Sequence, residues 1–329
     1  MDTGSPTLLR LMTTSATALG LALLLAACTT PPATPYTLDA TFTTCGATGP
    51  TGPNQTACDT EYVGTDLENS VSVANGIQSF TIEQTGTYRV TSEGAQGASA
   101  EPSYEGGRGA RAQADLELTA GDVLRIVVGQ AGSGVDSGSN GGGGGGSFVV
   151  AGAGVPLVIA GGGGGVRQNA AQNGCDANTG TFGIVGSGSS STSSCEPKTD
   201  DESLGGDITS TNWYGSAGAG FFGDGANDVG GNGITYGFGG LSWANGMLGG
   251  DWNDECSGSV PAEGGFGGGG SGSGCDGGGG GGGYSGGDGG FIAGGGGSFV
   301  TASATNVTIA LGTGIGVGDG VVTLEYLND

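Results

Sequence analysis

The residues of this chain best suited to chemistry are aspartates in two acidic segments. The segment 223–233 resembles one copy of a Gly/Asp calcium repeat, and the cluster 251–255 gathers carboxylate oxygens, which are ligands that Ca2+ prefers. Such repeats act as stacked copies, and only one copy is present. We therefore expect no metal and no cofactor, with calcium as the alternative. The candidate ligands are Asp224, Asp228, Asp251 and Asp254.

Catalytic groups are scarce in the rest of the chain. The sequence has no histidine, which removes the commonest general base and the usual catalytic triads. Its only lysine, Lys198, stands in a polar loop beside Cys195, and no pair of carboxylates stands out as the acid and base of a glycan hydrolase. We therefore expect a non-enzymatic protein, with a secreted glycan-active enzyme as the weaker alternative.

The first cysteine, Cys28, has the setting of a lipidation site. It follows the apolar run 18–27, which has the length of a signal-peptide core, and Leu25-Ala26-Ala27-Cys28 resembles a bacterial lipobox. This implies a lipoprotein signal peptide over 1–27, lipid on the Cys28 thiol and a Thr/Pro-rich tether over 28–41. We expect an extracytoplasmic chain anchored to the bacterial membrane; an ordinary secretory signal with a stray cysteine is the alternative.

The other six cysteines predict disulfides. An even number in an exported chain is typical of a disulfide framework. Sequential pairing would close three local loops of similar size, although other pairings are open. Zinc is disfavoured because the chain has no C-x2-C pair. The six are Cys45, Cys58, Cys175, Cys195, Cys256 and Cys275.

The charge of the chain limits its partners. Lys and Arg number 7 against 31 Asp and Glu, which gives a net charge of -24 and argues against nucleic acid, whose phosphates need cationic side chains. The charge favours a basic partner or cations. A solvated acidic surface is the simpler interpretation.

Short strands are the elements that would position these residues. A period of two predicts strands in 77–83, 88–91, 114–118, 123–128 and 320–327. The short turns at 84–86 and 119–122 predict that the strands on either side of each turn form hairpins or neighbouring antiparallel pairs. No segment after the signal shows a helical period.

Glycine runs dominate the middle of the chain. Of 81 glycines, many fall in the runs 141–146, 161–165, 267–270, 277–283 and 294–297. Several runs join apolar strand-like segments directly, which flexible linkers do not. An extended helix with three residues per turn has no internal hydrogen bonds, and glycine lets such helices approach closely. The runs therefore predict a bundle of polyglycine-II helices, with a flexible spacer as the alternative.

Aromatic residues concentrate in the same middle region. They would supply the side-chain packing that polyglycine lacks, or form a face that binds sugar or protein. They are Trp213, Tyr214, Phe221, Phe222, Tyr236, Phe238, Trp243 and Trp252.

A series of short motifs resembles a known family. The opening Phe42-Thr43-Thr44-Cys45-Gly46-Ala47-Thr48-Gly49-Pro50, with Gly52-Pro53, Cys58 and Tyr62, is similar to the start of the extracellular glycine-rich domain of the anaplastic lymphoma kinase and leukocyte tyrosine kinase receptors. Matches in the same order follow over about 42–327. They are Gly86-Thr87-Tyr88, Val127-Val128-Gly129-Gln130 with Gly132, Pro156-Leu157-Val158-Ile159-Ala160, Gly264-Gly265-Phe266 with the glycines around Cys275, Gly283-Tyr284 and Gly318-Asp319-Gly320-Val321.

The resemblance implies a mainly β fold over 42–329. It would be a tumour-necrosis-factor-like antiparallel β-sandwich, with strands in about 70–130 and 298–327, and an inserted polyglycine-II bundle at about 135–297. Kinase activity does not carry over, because the chain lacks the catalytic-loop histidine, the VAIK-type lysine and room for a kinase domain. No ligand-binding residue can be matched position by position.

These observations predict a lipid-anchored surface protein without enzymatic activity. Its receptor-like ectodomain would bind or adhere to an extracellular protein or glycan, with a basic partner favoured by the charge. Nucleic acid is not expected, and the membrane would be reached through Cys28 alone. A structural spacer of the cell envelope or matrix is the alternative.

Overall fold

The computed structural model describes residues 35–100, 104–134, 140–167, 172–187, 195–208, 215–253, 261–272, 277–311 and 314–327. The protein is mainly β, as predicted, with 31% strand and 4% helix. Residues 36–329 group into one compact unit. Within the described ranges, no helix is long and apolar enough to cross a membrane. Four of the predicted site residues lie outside these ranges: Cys28, Asp254, Cys256 and Cys275. Two of the aromatic residues of the candidate binding face, Trp213 and Tyr214, also lie outside them.

Two antiparallel sheets make up most of the strand content. In spatial order, the first contains β1 (Asp39–Phe42), β13 (Val321–Leu327), β4 (Gly86–Glu93), β5 (Arg111–Leu118) and β12 (Thr305–Ala310). The second contains β11 (Phe299–Val300), β8 (Val155–Ala160), β7 (Ser147–Ala151), β6 (Val123–Val127), β3 (Ile77–Thr81) and β2 (Val71–Ala74). A small separate sheet pairs β9 (Asp228–Val229) with β10 (Thr235–Gly237).

The two predicted hairpins are wrong, although their strands exist. β3 pairs with β6 in the second sheet, and β4 pairs with β5 in the first. Each short turn therefore carries the chain from one sheet to the other. The two turns bond to each other, since the Ala120 N–H donates to the Thr85 hydroxyl oxygen at 2.9 Å. A period of two identifies the buried face of a strand but does not identify its partner.

The six-stranded sheet is covered on both faces. On one face, Val149 joins Val90 of the five-stranded sheet in a common apolar core. On the other face, Phe148 packs in a second core with Phe221 and Phe266 of the glycine-rich region. The order of layers is therefore five-stranded sheet, six-stranded sheet and glycine-rich region.

Several elements lie outside their expected ranges. β7 and β8 fall within the range 135–297 expected for the insert, but they pair into the six-stranded sheet because their apolar side chains fill its cores. β1 begins inside the expected tether 28–41, where Ala40 is buried against the first sheet. A helix, α1 (Gln55–Glu61), was not expected; its seven residues are too few to display a helical period.

Backbone hydrogen bonds in the glycine segments 141–146 and 278–283 follow a period of three. A β-strand would alternate with a period of two, and a linker would have no regular partners. Every third N–H returns to the same neighbouring segment. In the run 141–146, Gly141 and Gly144 donate to Val166 and Gly163 of one segment. Gly142 and Gly145 donate to Ser133 and Gln130 of a second segment. Gly143 and Gly146 donate to Gly270 and Gly267 of a third.

The run 277–283 lies at the centre of this arrangement. A Cβ at Gly281 would lie 2.1 Å from the carbonyl oxygen of Gly162, so no larger residue fits unless the backbone moves. The run donates hydrogen bonds to 141–144, 216–219 and 290–294, and accepts them from 162–165, Gly270, Gly287 and Gly290.

Two disulfides hold segments of this fold. Cys45–Cys58 ties the opening segment to α1, and Cys175–Cys195 closes a second local loop. These are the first two pairs that sequential pairing predicts. Cys256 and Cys275 lie outside the described residues, so the third pair stays a prediction.

Candidate binding groove

Two adjoining depressions form a groove on the glycine-rich side of the second sheet. Their volumes are about 490 and 290 Å3, and they share Thr51 and Leu248. The opening segment 50–55 forms one wall, and residues from the segment 238–251 form the other. We call this surface the groove.

The ring of Phe266 lies beneath one end of the groove. It is fully buried, and a Cβ at either Gly52 or Gly76 would lie 2.6 Å from an atom of this ring. Because Gly52 and Gly76 have no side chain, the backbone of the groove can lie directly on the Phe266 ring.

Backbone hydrogen bonds hold the opening segment in place. The Phe266 N–H donates to the Gly49 carbonyl and the Gly249 N–H to the Pro50 carbonyl, both at 2.9 Å. The side-chain amide of Gln130 donates to the Thr51 carbonyl at 3.2 Å. Three of the motifs that resemble the receptor family, at 49–53, 127–132 and 264–266, thus meet beneath the groove.

The second wall presents apolar side chains to solvent. Phe238 is 40% exposed, and Leu241 and Leu248 are partly exposed beside it. Asp224 fixes the backbone of this wall, because its carboxylate accepts hydrogen bonds from the Ser242 N–H and the Asn245 side chain, both at 2.7 Å. The sequence analysis singled out Phe238 among the aromatic residues, but no sequence pattern indicated Leu241 or Leu248.

One end of the groove is acidic. Asp251 lines it and is exposed, and Glu263 lies half-buried nearby, close enough that a Cβ at Gly49 would be 3.2 Å from its Oε2. Burial raises the pKa of Glu263, and the negative charge of Asp251 raises it further. A cationic group at this end would offset the free-energy cost of ionising Glu263.

The predicted calcium ligands serve different purposes. The two Asp224 oxygens accept hydrogen bonds from the groove wall, and Asp228 is fully buried and accepts one from the Gly215 N–H. Asp251 lies at the groove, and Asp254 is outside the described residues. In the part of the chain that the structure describes, no three His, Cys, Asp or Glu side chains are gathered to hold a metal ion.

A larger cleft, of about 540 Å3, lies beside the Cys175–Cys195 disulfide. Its charged groups already have partners: Arg108 pairs with Glu105 at 3.3 Å, and the Arg108 N–H donates to Asp176 at 2.7 Å. The groove combines exposed apolar side chains with an acidic end that has no cationic partner among the described residues. We therefore take the groove as the candidate site.

Lys198 lies in the polar loop that the sequence predicts, among exposed neighbours, but its own side chain is buried. Its side chain is only 7% exposed, and Nζ lies 3.1 Å from Asp288 Oδ1 and 3.2 Å from Asp207 Oδ2. Sequence reasoning missed this cluster because Asp288 lies 90 residues away along the chain.

Comparison with known proteins gives a partial likeness to a receptor. No family model matches the chain. The leukocyte tyrosine kinase receptor of Mus musculus is 36% identical over 95 residues, which are 28% of this chain and 11% of the receptor. Together with the disulfides, this match indicates an extracytoplasmic protein that is similar over part of its length to a receptor ectodomain.

Proposed function

We propose that the protein is a non-enzymatic, lipid-anchored binding protein whose glycine-rich ectodomain presents the groove to an extracellular partner. A signal peptide over 1–27 and a tether from Cys28 to the start of β1 at Asp39 would leave Cys28 as its membrane attachment. The observation that carries the proposal is the groove itself, because an apolar surface with an acidic end is assembled over the motifs that resemble the receptor family.

The fold we propose for the ectodomain is a tumour-necrosis-factor-like sandwich. Two antiparallel sheets that share an apolar core support this proposal. The second layer then serves as the base on which the glycine-rich region is built.

For the glycine-rich region we propose a bundle of polyglycine-II helices. Its support is the period of three in the hydrogen bonds of 141–146 and the many neighbours of 277–283. Such a bundle holds both walls of the groove rigidly, so binding would cost little ordering of the protein.

The partner that fits the groove is a basic, partly apolar segment of an extracellular protein. Phe238 and Leu248 offer apolar contact, and Asp251 with Glu263 offers negative charge. The net charge of -24 would speed the approach of such a partner at low salt.

The test is retention of a partner by the soluble chain from Thr29 onward, immobilised and exposed to extracts of its native surroundings. We expect Phe238→Asp in the groove to abolish retention. Val307→Asp, a matched control at an exposed position on β12, should leave it unchanged. Equal retention by both variants would contradict the groove as the binding site.

A structural spacer is the second candidate function, and the hydrogen-bonded glycine runs favour it because they would give a stiff body. A spacer needs no groove. If Phe238→Asp affects no partner, while loss of the chain weakens the cell envelope, the spacer is the better description. A glycan-active enzyme has no comparable support among the described residues.

A further inference from the structure

The single lysine of the chain is held where it could form a covalent bond. Lys198 and Asp288 lie on either side of the segment 183–186: the Lys198 N–H donates to the Gly183 carbonyl at 2.8 Å, and the Asp288 N–H to the Ile184 carbonyl at 3.1 Å. The side chains of Lys198 and Asp288 are each 7% exposed. Their backbones are thus fixed by one shared segment, and their side chains meet away from solvent.

Two further carboxylates surround the amine. Asp207 Oδ2 lies 3.2 Å from Nζ and Asp201 Oδ2 lies 3.8 Å away. The side chain of Asp207 is 68% exposed, so this carboxylate can exchange protons with solvent while it contacts the amine. It has the position of a proton acceptor.

Backbone N–H groups polarise the Asp288 carboxyl group. The Asp207 N–H donates to Oδ1 at 2.8 Å, and the Gly186 N–H donates to Oδ2 at 3.3 Å. Fixed donors of this kind stabilise negative charge that develops on a carbonyl oxygen during nucleophilic attack. The site therefore contains a nucleophile, an electrophile, a proton acceptor and oxyanion donors.

We propose that Lys198 and Asp288 join in an intramolecular amide bond that the folded chain forms by itself, with Asp207 accepting each transferred proton and passing it on. The ammonium group of Lys198 loses a proton through Asp207 to Asp288, which leaves a neutral amine beside a neutral acid. Nζ then attacks Cγ of Asp288. The N–C bond forms, one C–O bond breaks, and the hydroxyl leaves as water after taking a proton from the nitrogen through Asp207.

The reaction is balanced without any other reagent. No electrons are transferred, and one water molecule is the only product besides the amide. Burial raises the pKa of Asp288, which favours the acid form. Burial lowers the pKa of Lys198, but Asp288 and Asp207 outweigh it and the pKa is raised. The resting pair is therefore ionic, and the neutral pair is its minor, reactive form.

The sequence provides a simple test, since no Arg or Lys follows Lys198 and the nearest one before it is Arg167. Trypsin acting on the reduced, denatured full chain should yield fragments 168–198 and 199–329 if the lysine is free. If the amide has formed, trypsin cannot cut after Lys198. We then expect one fragment, 168–329, lighter than its sequence mass by one water molecule.

Variants make the outcome unambiguous. Lys198→Arg keeps the charge and the trypsin site but cannot form this bond, so it should give two fragments. Asp207→Asn changes an exposed side chain and should also give two fragments in a folded protein. Two fragments from folded wild-type chain would overturn the proposal and leave a buried ion pair. A single fragment from Asp207→Asn would overturn the assigned role of Asp207.

Discussion

The carboxyl group of Glu263 lies half-buried at the acidic end of the groove, and both its burial and the nearby Asp251 raise its pKa. A carboxyl group whose pKa is raised by folding binds its proton more strongly in the folded state than in the unfolded state. The protein therefore becomes more stable as the pH falls through the pKa of the folded state. At neutral pH the ionised group therefore opposes folding. We expect Glu263→Gln to raise the Tm at pH 7, with an advantage that shrinks as the pH is lowered towards the pKa of Glu263.

The same substitution should weaken binding of a basic partner, because it removes one of the two charges at that end of the groove. Thermal melts and binding measurements on the same preparations check both effects. A variant that is more stable and binds as well as wild type would remove Glu263 from the proposed site. An increase in stability together with a loss of binding is the result expected for a residue that serves function at a cost in stability.

Among the elements, the run 277–283 gives the sharpest expectation. Gly281→Ala would place a methyl group against the Gly162 carbonyl, and backbone on every side limits any shift. We expect a loss of at least about 3 kcal/mol in the free energy of unfolding, measured by denaturant titration. Gly231→Ala is the matched control, since no atom lies within 4 Å of a Cβ there. Equal stability of the two variants would contradict close packing of this run.

Sequence reasoning located most strands but not their partners. The alternation in 77–83 and 114–118 marks buried faces correctly, while the pairing of β3 with β6 depends on contacts between distant segments. The groove could be predicted from the sequence only in part. The family resemblance includes 49–53, but no local sequence pattern indicates that Leu248 lies beside that segment. The burial of the Lys198 side chain could not be predicted for the same reason, since polar neighbours in sequence do not reveal a contact with a residue as distant as Asp288.

At the scale of the whole molecule, the proposed lipid anchor decides where the groove is displayed. If Cys28 carries lipid, Cys28→Ser should move the protein from the membrane fraction to the soluble fraction without changing its fold, because the compact unit 36–329 begins after it. Detergent phase partitioning and intact-mass measurement provide the readout. Wild-type protein that partitions into the aqueous phase, with an unmodified cysteine, would contradict the anchor.

The hydrogen bonds of the glycine runs also determine how the chain must fold. They join residues far apart in sequence, such as Gly279 to Gly141 and Gly296 to Gly162. Ordering each glycine costs about 1–2 kcal/mol of backbone entropy, and no single run recovers it without its neighbours. Such high contact order makes folding slow. The glycine runs should therefore assemble in one late cooperative step, after the sheets have formed.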